Sequence, residues 1–175
     1  QNDVVFELLN EVVNATAEEW NTLAEKTIAA IREKNKERLI IVGGVEWNNP
    51  PALPKVKVYD DENIIYTFHC YAPHEFTHQQ GVLQAGPLFY NRKMPYPCDD
   101  IERYREFHRV VRGKESYYEK YDQMDIKFLR DYLAPAKEFI EKQIIFRTTA
   151  DEEIEIDRII VVQDNKKVDI PIEDI

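Results

Sequence analysis

The sequence predicts an α/β protein built on a parallel sheet, and three observations carry that expectation. Short apolar runs recur at 4–9, 39–42 and 63–70, each with the length and composition of a buried strand. An amphipathic helical pattern separates the first two. The resulting strand–helix–strand order is the signature of right-handed βα units around a parallel sheet.

The first run, "VVFELLNEV", reads as a strand over Val4–Leu9 that delivers Asn10 and Glu11 at its end. Thr16-Ala-Glu-Glu19 is a capping box, in which Thr16 and Glu19 satisfy the first free N–H groups of a helix. That helix carries Trp20, Leu23, Ile28 and Ile31 at helical spacing, with Arg32 and Lys34 in its last turn. Leu39–Val42 is the second strand, closed by Gly43-Gly44 and followed by Trp47, Asn48 and a proline-broken stretch. "NIIYTFHC", Asn63–Cys70, is the third.

From Ala72 to Asp100 the chain is irregular, with several prolines and aromatics. A loop that long inside a compact domain is usually functional or poorly ordered. Helices are expected over about 101–111 and 122–142, with Pro135 as a kink or break in the second. The remainder, 143–175, changes character. Its β-branched runs predict a hairpin of Ile159–Val162 and Val168–Ile172 around a turn at Asp164–Lys167. Two parts follow: 1–142 with the βα rhythm, and 143–175 as a β-rich tail.

Composition narrows the function classes. The net charge of −10 over 175 residues argues against a nucleic-acid partner, which needs a basic footprint. No run approaches the ~20 apolar residues of a membrane span, so no membrane partner is expected. Cys70 and Cys98 are compatible with free thiols or one bridge, free thiols being the simpler expectation.

The chemistry-bearing residues gather where strands end, which is where parallel α/β sheets place their sites. Glu11 can hand over and take back a proton there, and Asn10 can hydrogen-bond a hydroxyl; Glu11 could equally begin a loop and cap the next helix. His69 and Tyr71 are two residues apart at the end of the third strand and would share one face, as site residues or as packing. Trp47 could stack on a sugar ring while Asn48 bonds hydroxyls, or it could cover the end of the core. Phe76, Phe89, Tyr90 and Tyr96 could line a groove or pack the long loop; Tyr117, Tyr118 and Tyr121 read as packing or surface. His74, Glu75 and His78 lack an HExxH frame, so no metal site is assigned.

As an ordered set, "VVFELLNEV", "IIVGGVEWN", "NIIYTFHCYAPHEFTHQQ" and "MPYPCDD" resemble the cellulase-like glycoside hydrolases of family 5 over about residues 3–142. The "FTHQ" after His-x-Tyr resembles bacterial endoglucanase-like members. The resemblance implies a (β/α)8 TIM barrel, of which this chain holds about strands four to six and the following helices. It implies Glu11 as general acid/base, Asn10 on the sugar 2-hydroxyl, and His69 and Tyr71 against substrate and nucleophile, with Trp47 near the substrate. It implies hydrolysis of β-glycosidic bonds in a β-glucan by a retaining double displacement, with no metal or organic cofactor. A secreted or periplasmic location is expected from the family, although the chain shows no signal peptide.

A whole barrel of this kind takes ~250 residues, so strands one to three, with the family's Arg and His, are expected to be missing. The nucleophilic Glu should follow Lys142 in a "GEFG"-like segment. Here the chain reads "QIIFRTTADEE", where Asp151, Glu152 or Glu153 fall near the offset without a Gly-Glu pair. The strand-eight Trp has no counterpart either. The open edges of a partial barrel imply self-association or pairing with the missing barrel half. The alternative to an active enzyme is a non-catalytic carbohydrate-binding remnant or inactive fragment.

Overall fold

Three short parallel strands organise the first part of the chain, in the order β1 (Phe6–Glu7), β2 (Ile40–Val42), β3 (Ile64–Tyr66). The register pairs Phe6 with Ile40 and Ile40 with Ile64. These strands come from a computed structural model that describes residues 4–79, 93–112, 117–147, 158–163 and 166–171. The chain divides into two compact units, 1–70 with 133–155, and 71–132 with 156–175.

In the first unit the middle strand is the best buried. Ile40 and Val42, which share one face of the strand, are 0% and 1% exposed, while Ile41 on the other face is partly buried. β1 departs from the expected buried strand. It is two residues long, and Val4, Val5, Phe6 and Leu9 are all exposed. Among the described residues β1 pairs only with β2, so its outer side has nothing to bury against. The Arg38 guanidinium lies over the Phe6 ring instead, 5.0 Å from its centroid, and Arg38 also donates to the Val4 carbonyl.

Helix α1 (Ala17–Lys34) starts at the capping box expected from the sequence. The Glu19 N–H donates to Thr16 Oγ1 at 3.2 Å, and the Thr16 N–H donates back to Glu19 Oε2 at 2.8 Å. Trp20, Ala24 and Ile28, spaced by four, form the buried face. Leu23 was expected there but is exposed, because at 3.6 residues per turn it sits about 100° away from Ala24.

Two side chains fasten α1 to the loops around the sheet. Arg32, in its last turn, pairs two of its guanidinium nitrogens, Nε and Nη2, with Asp61, at 2.6 and 3.2 Å, just ahead of β3. Asn21 donates to the Lys55 carbonyl at 2.9 Å and accepts from the Lys57 N–H at 3.0 Å. It thereby grips both sides of the turn that leaves the 3-10 segment Pro50–Lys55.

The second unit holds its own core of Ala72, Met94, Cys98, Ile101, Tyr104, Tyr118, Tyr121, Met124 and Phe128. Tyr118 and Tyr121 are therefore packing residues; the side chain of Tyr117 lies outside the described residues. Short α2 (His74–Thr77) and α3 (Glu102–Arg112) belong to this unit. Cys98 and Met124 exchange two backbone hydrogen bonds of 2.8 Å as an isolated antiparallel bridge. Both cysteines are free thiols.

Helix α4 (Ile126–Arg147) runs through Pro135 without the expected break, from residues of the second unit into residues of the first. In the first unit its Ala136 and Phe139 are buried, and the Phe139 ring meets Tyr66 edge-on at 5.2 Å. The expected hairpin is present as β4 (Arg158–Gln163) and β5 (Lys166–Pro171), antiparallel with Val161 opposite Val168. Lys166 and Lys167 belong to β5 rather than to the turn.

Candidate active site

The carboxyl ends of the three parallel strands all lead into the same group of residues. After β1 the ladder continues with the Leu8 N–H on the Ile41 carbonyl, and the chain then turns through Asn10 and Glu11 to buried Val12. After β2 it passes Gly43 and Gly44 into a turn at Glu46–Asn48. After β3 it reaches His69.

Glu11 and His69 meet. His69 Nδ1 lies 2.7 Å from Glu11 Oε1, with the two side chains 23% and 30% exposed. An ionised carboxylate can only accept, so in that state Nδ1 is the donor. Partial burial limits competition from water, and the contact fixes both side chains at the mouth of the sheet.

His69 does not lie on a strand, contrary to expectation. β3 ends at Tyr66; the Thr67 N–H still reaches the Val42 carbonyl, but the His69 N–H donates to the Asn48 carbonyl at 2.7 Å. The alternation that would have put His69 and Tyr71 on one face therefore stops before either. Tyr71 belongs to the second unit, where its exposed ring meets His78 edge-on at 5.3 Å. Asn10 is exposed in the bend after β1. Trp47 is 64% exposed.

The turn that carries Trp47 went unread in the sequence. Glu46, Trp47 and Asn48 have φ of 57°, 58° and 55°, three successive non-glycine residues in the left-handed region. Such a conformation costs roughly 1–2 kcal/mol per residue and needs the surroundings to impose it. The surroundings do so at several points. The Trp47 N–H donates to the Val12 carbonyl at 3.2 Å, and the Gly44 N–H donates to Asn48 Oδ1 at 2.7 Å. Asn49 Nδ2 donates to the Glu46 carbonyl at 2.7 Å, and Lys55 pairs with Glu46 at 2.5 Å.

Asn48 is 0% exposed, which overturns its expected contact with substrate hydroxyls. Its carboxamide is turned inward against Gly43. A Cβ at Gly43 would stand 2.5 Å from Asn48 Nδ2, so only glycine fits there. The signals were present but weak: an Asn, which tolerates positive φ, and a glycine pair before it.

In the second unit Glu75 is buried and accepts from the Tyr118 hydroxyl at 2.5 Å, while the His74 and His78 rings stack at 5.1 Å. Among the described residues no group of His, Cys, Asp and Glu is arranged to hold a metal. Asp151, Glu152 and Glu153 lie outside the described residues, as do Phe89 and Tyr90.

A carboxylate and an imidazole meeting just beyond the carboxyl ends of parallel strands place the chain among α/β sheet proteins whose polar residues gather at that edge of the sheet. Comparison with known proteins narrows the class. The family described as Cellulase (glycosyl hydrolase family 5) matches residues 1–129, and the chain belongs to that family.

Endoglucanase C of Acetivibrio thermocellus is 35% identical over 144 residues, which are 80% of this chain and 41% of that protein. Endoglucanase Cel5A of Thermotoga maritima has a similar fold, with a TM-score of 0.59 and 27% identity over 82% of this chain and 39% of its own. A structure of that Cel5A in complex with cellobiose matches at TM-score 0.50 and 28% identity, over 85% of this chain and 50% of its own. The chain thus spans about two fifths of the length of Endoglucanase C.

Proposed function

We propose that this chain carries the acid/base side of a retaining β-glucan hydrolase. The observation that carries the reading is the 2.7 Å pair of Glu11 and His69, just beyond the ends of β1 and β3 and within the residues matched by the cellulase family. Names and bound sugars of the relatives support a β-glucan as substrate: an endoglucanase at 35% identity, and a Cel5A structure with cellobiose.

In this reading Glu11 protonates the glycosidic oxygen as the bond to the anomeric carbon breaks. A second carboxylate, about 5–5.5 Å away, attacks that carbon from the other side. Glu11, now ionised, then takes a proton from water, which displaces the second carboxylate and restores both groups. His69 holds Glu11 in place through both steps. Asn10, exposed beside Glu11, binds the sugar 2-hydroxyl, and Trp47 offers its open face to a sugar ring. The second carboxylate is not among the described residues. Neither step calls for a metal or an organic cofactor. Because the substrate is a polymer that stays outside the cytoplasm, the reading includes an exported protein.

The test is cleavage of a soluble β-glucan and of an aryl β-cellobioside by the chain and by Glu11→Gln. Cleavage that the substitution removes supports the reading. Cleavage that survives it unchanged removes Glu11 from the acid/base role. Sugar binding with no cleavage by either protein makes the chain a binding remnant.

A further inference from the structure

The left-handed turn after β2 does more than present Trp47. It lies in a closed circuit of contacts. Glu11 Oε1 meets His69 Nδ1 at 2.7 Å, and the His69 N–H donates to the Asn48 carbonyl, also at 2.7 Å. Asn48 follows Trp47, whose N–H donates to the carbonyl of Val12, the residue after Glu11. The circuit closes on the carboxylate from which it began.

One side chain locks this circuit to the sheet. Asn48 Oδ1 accepts the Gly44 N–H at 2.7 Å, and its carboxamide fills the space that a Cβ of Gly43 would need. Asn48 is fully buried and has no route to a sugar, and among the described residues its Nδ2 has no partner. A buried donor without a partner is a standing cost, and three left-handed residues add to it. Both persist at a turn two of whose links end on the residue next to Glu11 and on the backbone of His69. We propose that Asn48 is a positioning residue: its turn sets where His69 stands, and so keeps the His69 imidazole on the Glu11 carboxylate. This rests on the acid/base reading of Glu11 for its purpose, but not for its geometry.

The direction of the effect follows from the tautomer. An ionised carboxylate partner requires the proton on Nδ1, so the shifts are recorded well above the ordinary carboxylate range, whereas a free neutral imidazole in water prefers the proton on Nε2. His69 held against Glu11 therefore carries an Nδ1–H signature in the nitrogen NMR spectrum of its ring, and a displaced His69 reverts. This readout needs no turnover, so it is separable from the cleavage test of Glu11.

The experiment records the ring nitrogen shifts of His69 in the whole chain and in four variants, with circular dichroism as the check on folding. Glu11→Ala removes the carboxylate and defines the reverted signature. Asn48→Gly removes the carboxamide while allowing the positive φ. Gly43→Ala pushes the same carboxamide from its other side. Asn48→Asp keeps an oxygen for the Gly44 N–H and tolerates the left-handed backbone, so it is the rescue.

The expected result is the Nδ1–H signature in the unsubstituted chain and in Asn48→Asp. It is lost in Asn48→Gly and Gly43→Ala with the fold retained. A folded Asn48→Gly or Gly43→Ala that keeps the signature overturns the proposal. So does unfolding of both, which would make Asn48 a stability residue only. An unsubstituted chain already in the reverted state overturns it as well.

Discussion

The indole Nε1 of Trp20 donates to the Gly43 carbonyl at 2.8 Å, across 23 residues of sequence and within the core. This one bond ties the first turn of α1 to the residue just past β2, the same glycine that Asn48 packs against. Trp20→Phe keeps most of the apolar contact and leaves the carbonyl without its donor. The expected loss is about 1–3 kcal/mol of stability, the usual cost of stranding a buried polar group. Urea unfolding of the two proteins measures it, and equal midpoints would show that the bond contributes nothing.

The acid/base reading predicts a substrate-dependent defect. Glu11→Gln should slow cleavage of a β-glucan by about 10²–10⁴-fold. The loss in the first step should be smaller on an aryl β-cellobioside with an acidic phenol, which leaves without much help from a proton. Initial rates on both substrates, with the phenol burst followed separately, compare the two losses. Equal losses in the first step on the two substrates would argue against proton donation by Glu11.

Alkaline pH should weaken the fold through Tyr59. Burial, with smaller effects from Tyr66 and Glu25, pushes its phenol up to about 12. In the unfolded chain a tyrosine ionises near 10. Between roughly pH 10 and 12 the folded state therefore holds a proton that the unfolded state has lost, and stability falls as pH rises. Tyr59→Phe should flatten this fall without abolishing it, because burial raises the Tyr104 and Tyr121 phenols as well. Urea midpoints taken every half unit from pH 9 upwards would show the difference, and identical slopes would exclude Tyr59.

The outer side of β1 predicts association. Phe6 in β1, and Val4, Val5 and Leu9 on either side of it, are exposed, and among the described residues β1 has one neighbour. Unpaired apolar edges recruit further strands. Sedimentation velocity over a hundredfold range of concentration should show oligomers of the chain, reduced by Phe6→Lys. A single monomer peak throughout would set the prediction aside.

How much of this was legible in the sequence varies by element. α1 was readable because its cap is chemically specific: Thr16 and Glu19 stand three apart and bond each other's backbone, and the structure contains both bonds. The hairpin of β4 and β5 was readable from β-branched runs around a polar turn. β3 was over-extended, because apolar character continues through Phe68 although β-ladder pairing stops at Tyr66. Asn10, Glu11 and His69 stand out in the sequence because strand ends in parallel sheets are where polar residues have a reason to be, and the structure brings two of them, Glu11 and His69, into contact. The left-handed turn was not found. Its conformation is imposed by Val12, Gly44 and Lys55, partners up to 35 residues away from Trp47 or its neighbours, and nothing in Glu46 or Trp47 advertises it. Buried Asn48 looked like a sugar ligand for the same reason: a carboxamide has the same chemistry whichever way it faces.

The grip of Asn21 on the backbone of Lys55 and Lys57 bears on how this chain can change over generations. A side-chain amide that offers one donor and one acceptor imitates a peptide group, and it reads only the main chain opposite. Neither bond depends on the side chain at 55 or 57, so those two positions can drift as far as this contact is concerned, except to proline at 57, which has no N–H to give. Asn21 itself cannot. Aspartate there has no proton for the Lys55 carbonyl, and leucine has neither group. The selective burden of shaping that turn therefore falls on a helix residue more than thirty positions upstream, where no inspection of the turn's own sequence would look for it.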